Sequence, residues 1–306
     1  MVDRTRGTRI AHSGVDALDL LHRLTTNELL SLNAGQARST VITTDQGRIL
    51  AVLQVAVRAQ NELLLLCESA DPHPIMQWID RYTIIEDATM EDESGSTAQF
   101  SVIGPEAAAV TERVFGISPG DGEHARVSLG AADVEIVGND WPGMPKLDVI
   151  SGLADAAAVW QGLVEGGVRP SGDNAFHEAR VRHGIPFHGS ELTDRFNPLE
   201  AGMTPLVSFT KGCYIGQEVI ARLDSYDKLQ RRLMMLRSDV PLMSGAMLES
   251  QGKRAGEVTS AGTLRDEAGY PALGYVRRGH WEPGTELMCG DTAVTVLIPA
   301  NGQPAA

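Results

Sequence analysis

Lys211-Gly212-Cys213-Tyr214-Ile215-Gly216-Gln217-Glu218, running on through Val219, Ile220 and Ala221 to Arg222, is the stretch around which the chain is organised. It gathers a thiol, an amine, a carboxylate and two glycines, a mixture that a packed core does not call for. Upstream, Leu206, Val207 and Phe209 are strand formers, while Gly212 and Gly216 permit backbone angles that side chains forbid. Gln217 to Leu223 are mostly helix-compatible. The pattern therefore predicts a strand, a tight turn and a helix, with Cys213 and Tyr214 near the helix N-terminus. Unpaired N–H groups and the helix dipole favour negative charge there. With Lys211 two residues away, the Cys213 thiol is expected to shift toward thiolate. A buried cysteine between ordinary turn glycines would explain each residue singly but not their combination.

The charge balance points the same way. From Lys211 to Arg232 five basic residues face three acidic ones, a local +2 in a chain of net charge −14. A basic island in an acidic protein suits an anionic small ligand, although a solvated helix face with a pair such as Asp224 and Lys228 would read alike. The net charge argues against a general nucleic-acid binder, which needs clustered Lys and Arg for phosphate contacts. The cysteines at 67, 213 and 289 are odd in number and widely spaced, with no CxxC and no Cys/His cluster of metal spacing. That speaks against a disulfide framework and for a reducing compartment. No secretory pattern and no apolar run of membrane-spanning length is present, so a cytoplasmic protein without membrane contact is expected.

Outward from the central stretch, Ala17, Leu18, Leu21 and Leu24 recur on one helical face. Val41–Thr43 and Ile49–Val57 read as strands joined by Asp45-Gln46-Gly47, followed by a strand at Leu63–Cys67 and a helix from Asp71-Pro72 through Ile79. A strand is expected at Ile84-Ile85, leading into an acidic run at 86–93. Phe100–Ile103 feeds a helix at Ala107–Phe115, strands follow near 125–129, 132–138 and 146–150, and helices near 154–165 and 176–183. This order gives an α+β protein with split βαβ units and antiparallel sheets. After Arg232, short alternating segments punctuated by Gly and Pro predict a small all-β barrel, ending in a disordered tail over 299–306.

KGCYIGQE followed by Arg222 resembles the hallmark segment of the YgfZ-type folate-binding proteins, relatives of the T-protein (aminomethyltransferase, GcvT-like) of the glycine cleavage system. Residues 14–36, GVDALDLLHRLTTNELLSLNAGQ, resemble the start of the T-protein family, and 256–262 with 272–276 resemble its C-terminal barrel. The resemblance implies a three-domain ring (cloverleaf) with two α/β domains of split βαβ type and a C-terminal β-barrel. The expected limits are 1–46 plus 140–225 for a folate-binding domain, 47–139 for an α+β domain and 228–300 for the barrel. It also implies tetrahydrofolate or a related reduced folate as ligand, iron–sulfur client or assembly proteins as partners, and a role in maturation or repair of iron–sulfur enzymes.

Two departures separate the chain from the enzyme branch. That branch carries a Gly-Gly-Ile-x-Asp-Asp strand whose aspartate is central to aminomethyl transfer. Here the stretch is Gly47-Arg48-Ile49-Leu50-Ala51-Val52, with hydrocarbon where the carboxylates would stand. In place of the L-R-L-E-A-G glutamate the chain has Arg182, within Ala179-Arg180-Val181-Arg182-His183-Gly184. A methyl or isopropyl group cannot hydrogen-bond a folate nitrogen or stabilise a developing cation. A tetrahydrofolate-dependent aminomethyltransferase, or another one-carbon transferase, is thus the alternative reading. Candidate reactive residues are Cys213 and Lys211. Candidate folate contacts are Glu200 for the pterin, Arg180, Arg182, Lys211 and Arg222 for the anionic tail, and Tyr214, Gln217 and Glu218 from the central segment. Cys213 could be a redox group or transient iron ligand, a nucleophile served by His183 or His188, or part of a clasp closed by Glu218 and Lys211.

Overall fold

A computed structural model describes residues 1–226 and 228–302. It separates into two compact units, one of Met1–Ile42, Ala51–Asp173 and Thr210–Ile215, the other of Thr43–Leu50, Asn174–Phe209 and the chain from Gly216 onward.

The first unit holds two five-stranded sheets. Its elements are β1 (Val2–Asp3), β2 (Thr8–Ser13), α1 (Ala17–Leu24), β3 (Ala37–Thr43), β4 (Ile49–Ala59), β5 (Glu62–Cys67), α2 (His73–Arg81) and β6 (Thr89–Asp92). These are followed by β7 (Thr97–Ile103), α3 (Ala107–Phe115), β8 (His124–Leu129), β9 (Ala132–Gly138), β10 (Lys146–Gly152) and α4 (Ala156–Glu165). One sheet runs β3-β4-β5-β2-β6 and the other β1-β7-β10-β9-β8. Alternation along β10 explains how they pack. Leu147 and Val149 join Phe100, Val102, Val110, Val159 and Leu163 in a core on the α3/α4 side. Ile150, on the opposite face, packs with Ala37, Ala56, Leu64, Leu66 and Val137. Asp148 lies opposite Ser101 in the β10/β7 register, so the serine hydroxyl donates to its carboxylate at 2.5 Å while Lys146 pairs with the other oxygen. The buried pair is satisfied locally, as burial of charge requires.

The second unit contains α5 (Asp173–Arg182), α6 (Gln217–Ser225) and a closed barrel. The barrel strands are β11 (Arg231–Ser238), β12 (Met247–Ser250), β13 (Lys253–Ala261), β14 (Tyr270–Arg277), β15 (Glu286–Cys289) and β16 (Thr292–Pro299), in spatial order β11-β14-β13-β12-β15-β16. Met234, Leu236, Leu248, Val258, Val276, Leu287, Val294 and Val296 fill its interior. The α+β class and the C-terminal barrel are therefore as the sequence predicts.

Three local expectations change. Ile84 and Ile85 lie on a loop, 83% and 92% exposed, and the strand forms instead at β6. β-Branched residues favour strands only where a pleated surface is there to receive them. Leu206, Val207 and Phe209 form no strand, because Pro205 starts a short 3-10 turn over Thr204–Leu206. The tail is ordered further than expected: Ala300 is fully buried and Asn301 Nδ2 donates to the Gly202 carbonyl at 3.0 Å. The rest of the expected disordered tail, 303–306, lies outside the described residues. Among the described residues, no helix is long and apolar enough to cross a membrane.

Candidate functional site

Residues 210–215 are anchored by the end of α1. A helix leaves its last carbonyls without intrahelical partners, and at the C-terminal end of α1 and just past it the carbonyls of His22, Thr25 and Asn27 converge. Lys211 Nζ donates to all three, at 2.8 Å to Thr25 and 2.7 Å to Asn27. A cation at a helix C-terminus also meets the favourable end of the dipole. Burial pushes the Lys211 amine down to about 8, with Glu28 pulling the other way. The ammonium stands 5.3 Å from the centre of the Tyr214 ring, a cation–π contact. Tyr214 is buried, and burial raises its hydroxyl to about 12. His22, whose Nδ1 accepts from the Leu29 N–H at 3.2 Å, is shifted down by burial and then by Lys211. Between these anchors Gly212 and Cys213 are exposed. Lys211, read as a reactive amine, thus serves as the fastening of the segment that carries the thiol.

Gly216 to Arg222 belong to the second unit. Gly216 caps α6 with φ +84°, and a Cβ there would lie 2.5 Å from the Thr44 carbonyl oxygen and 2.9 Å from Thr43 Oγ1. Gly47, at the tip of the β3–β4 hairpin with φ +67°, would meet Val219 and Ile220 at 3.3 Å. The hairpin tip, Thr43–Leu50, belongs to the same unit as α6, and the two glycines let helix and turn pack closely. Gln217 is half-buried at the start of α6, while Glu218 and Arg222 are exposed in its first and last turns.

Glu200 is buried and already engaged. Its Oε1 accepts from Arg231 Nε at 3.1 Å, its Oε2 accepts from the Asn197 N–H at 3.2 Å, and Arg48 Nη1 stands 3.6 Å from Oε2. Arg231 Nη2 and Arg48 Nη1 also donate to the Arg195 carbonyl, at 2.9 and 3.1 Å. The guanidiniums of Arg231 and Arg195 lie 4.7 and 5.2 Å from the centre of the Phe196 ring. That ring stacks on Tyr275 at 3.5 Å and 12°. Arg195 and Arg254 both donate to Glu257. The carboxylate expected to meet a pterin thus sits inside an arginine cluster.

Arg180, expected to receive an anionic tail, is paired within the chain. It is buried, donating to Glu191 Oε2 at 3.0 Å and Ser260 Oγ at 2.7 Å, and the chain's own acid neutralises it. Ser260 donates to Glu191 Oε1 at 2.6 Å and the Tyr275 hydroxyl to the Glu191 carbonyl at 3.0 Å, tying α5 to the barrel. Burial, then Glu191, raises Tyr275 well above its ordinary value. Arg182 donates to the Leu264 carbonyl at 3.2 Å and stands 3.8 Å from Asp266. Residue patterns did not mark Glu191, Ser260, Arg48, Arg195 or Arg254, since each sits in a loop or on a strand face without periodic signal. Arg231 alone lay within the basic run already noticed. All three cysteines are free: Cys67 is buried, with its thiol raised to about 12 by burial, and Cys289 is half-buried. No group of three His, Cys, Asp or Glu among the described residues could hold a metal ion.

Comparison with known proteins agrees with this fold. The profile of the GCVT N-terminal domain matches residues 1–211, and that of the CAF17 C-terminal beta-barrel domain matches residues 230–302. A chloroplastic protein of Arabidopsis thaliana named as a transferase is 28% identical over 298 residues, covering 95% of this chain and 68% of its own length. An aminomethyltransferase of Saccharopolyspora erythraea is 28% identical over 314 residues, covering 98% of this chain and 85% of the relative. In fold, the chain is similar to the crystal structure of glycine cleavage system aminomethyltransferase T from Bartonella henselae. The TM-score is 0.86 at 21% identity, over 97% of this chain and 84% of that one.

Proposed function

The chain belongs to the GCVT N-terminal domain family, and from that membership we propose that it is a tetrahydrofolate-binding accessory protein supporting maturation or repair of iron–sulfur enzymes in the cytoplasm. The observation that carries this over a transferase is the pair Ala51 and Val52. Ala51 is buried and Val52 half-buried, and neither offers a lone pair or charge to a reacting folate nitrogen.

The donor set fits a reduced folate. Each Glu200 oxygen accepts one hydrogen bond, at 3.1 and 3.2 Å, and keeps a further lone pair for the N–H donors of a pteridine. The surrounding guanidiniums suit an anionic tail. When bound, a reduced folate supplies a one-carbon carrier. The chain's own part is to hold it and to present Cys213. A single thiolate cannot hold an iron–sulfur cluster, which ordinarily takes four ligands, so a client or assembly protein would supply the others.

The second reading, a tetrahydrofolate-dependent aminomethyltransferase, is favoured by the near full-length likeness to an aminomethyltransferase. Ammonia release from an aminomethylated carrier protein in the presence of tetrahydrofolate separates the two. The accessory reading expects none above background, and turnover would replace it with the transferase.

A further inference from the structure

We propose that Arg48, Arg195, Arg231 and Arg254 form one anion-binding surface that takes the carboxylates of a γ-linked oligoglutamate chain, the tail of a polyglutamylated folate. This rests on the folate reading above and assigns the tail to residues other than Arg180 and Arg182.

The cluster is preorganised. The Arg195 carbonyl receives Arg48 and Arg231, Glu200 orients those two, and Glu257 holds Arg195 and Arg254. Phe196, fully buried and stacked on Tyr275, is a rigid platform beneath Arg195 and Arg231. Fixing the guanidiniums beforehand lowers the ordering cost that a ligand would otherwise meet.

Donors remain. A guanidinium carries five N–H donors. Among the described residues Arg195 and Arg254 each use one nitrogen, Nη2 on Glu257, leaving Nε and Nη1 available. Arg231 uses Nε and Nη2, and Arg48 uses Nη1. The side chains reach solvent: 58% exposed at Arg195, 46% at Arg254 and 38% at Arg48.

The charge does not cancel. Among the described residues four guanidiniums face only Glu200 and Glu257, a local +2 in a chain of net −14. Asp194 and Lys253, exposed and next in sequence to Arg195 and Arg254, offset each other. An oligoglutamate presents successive carboxylates, each able to take a guanidinium in bidentate fashion. A nucleic acid would meet the repulsion of the remaining acidic surface.

The test is a calorimetric titration of the full chain with tetrahydrofolate monoglutamate and with its pentaglutamate, on wild type and on the double variant Arg195→Gln, Arg254→Gln. Wild type should bind the pentaglutamate about tenfold tighter, as two or three partly exposed ion pairs allow, with the gain shrinking as salt rises. The variant should lose most of that gain, so that its pentaglutamate and monoglutamate affinities converge. Equal affinities in wild type, or a gain that survives in the variant, would overturn the assignment and leave the folate reading standing. The wild-type comparison needs no variant and decides the matter even if the variant misfolds. If wild type binds neither folate, the folate reading fails. Free γ-pentaglutamate, followed by arginine side-chain NMR shifts, then decides the surface: shifts at these arginines support it, and no shift, or equal shifts with inorganic phosphate, would refute it.

Discussion

Lys211 places its ammonium against three backbone carbonyls at and just past the C-terminal end of α1, and this fixes how the cysteine segment sits. Lys211→Met keeps the stem and removes the donor, leaving partly buried carbonyls without a partner. It should cost on the order of 2–3 kcal/mol, read as a lower urea midpoint at unchanged slope. Cys67 carries a pH prediction. Its thiol is raised from 9.0 to about 12 in the folded chain, so above pH 9 the unfolded chain releases a proton that the folded one keeps. Its contribution to stability is full below pH 9 and is lost as pH rises through 12, by about 1.4 kcal/mol per pH unit. Cys67→Ala should flatten that alkaline loss, and an unchanged slope in denaturant titrations from pH 8 to 11 would contradict it. At this scale the sequence marked Lys211 and Cys213 as unusual but could not assign their roles. An amine beside a thiol reads as chemistry until the carbonyls of a distant helix end are placed next to it. The same holds for Arg180, whose partner Glu191 lies in an irregular loop.

At the scale of elements, the two glycines of the central segment differ, and substitution should show it. Gly216 has a positive φ and no room for a Cβ against Thr44, whereas a Cβ on Gly212 would meet nothing within 4 Å. Gly216→Ala should destabilise by roughly 2–4 kcal/mol, and Gly212→Ala by less than about 0.5 kcal/mol. Equal effects in thermal melts would show that α6 does not pack on the β3–β4 turn as described. Element identity was legible where a pattern had a physical cause. The Leu21 and Leu24 stripe gave α1, Pro105 and the alanines gave α3, and glycine gave the start of α6. It failed where composition ignored context: Ile84-Ile85 has strand-forming residues but no neighbouring strand, and Leu206 follows a proline that turns the chain first.

At the scale of the whole molecule, the C-terminal barrel was readable because Gly and Pro recur between short alternating segments, and the N-terminal sheets because their strands alternate around turns. What could not be read was pairing between strands far apart in sequence, such as β1 with β7, which decides which residues share a face. The proposed function rests on membership of the GCVT N-terminal domain family, on hydrocarbon at Ala51 and Val52, and on an exposed thiol in an anchored segment. The decisive measurement is the activity of iron–sulfur enzymes in cells whose only copy of this protein is Cys213→Ala, with the purified variant's melting temperature and tetrahydrofolate affinity as controls. The account predicts enzyme activity falling to the level of cells lacking the protein while both controls match wild type. Full iron–sulfur enzyme activity in the variant cells would contradict it.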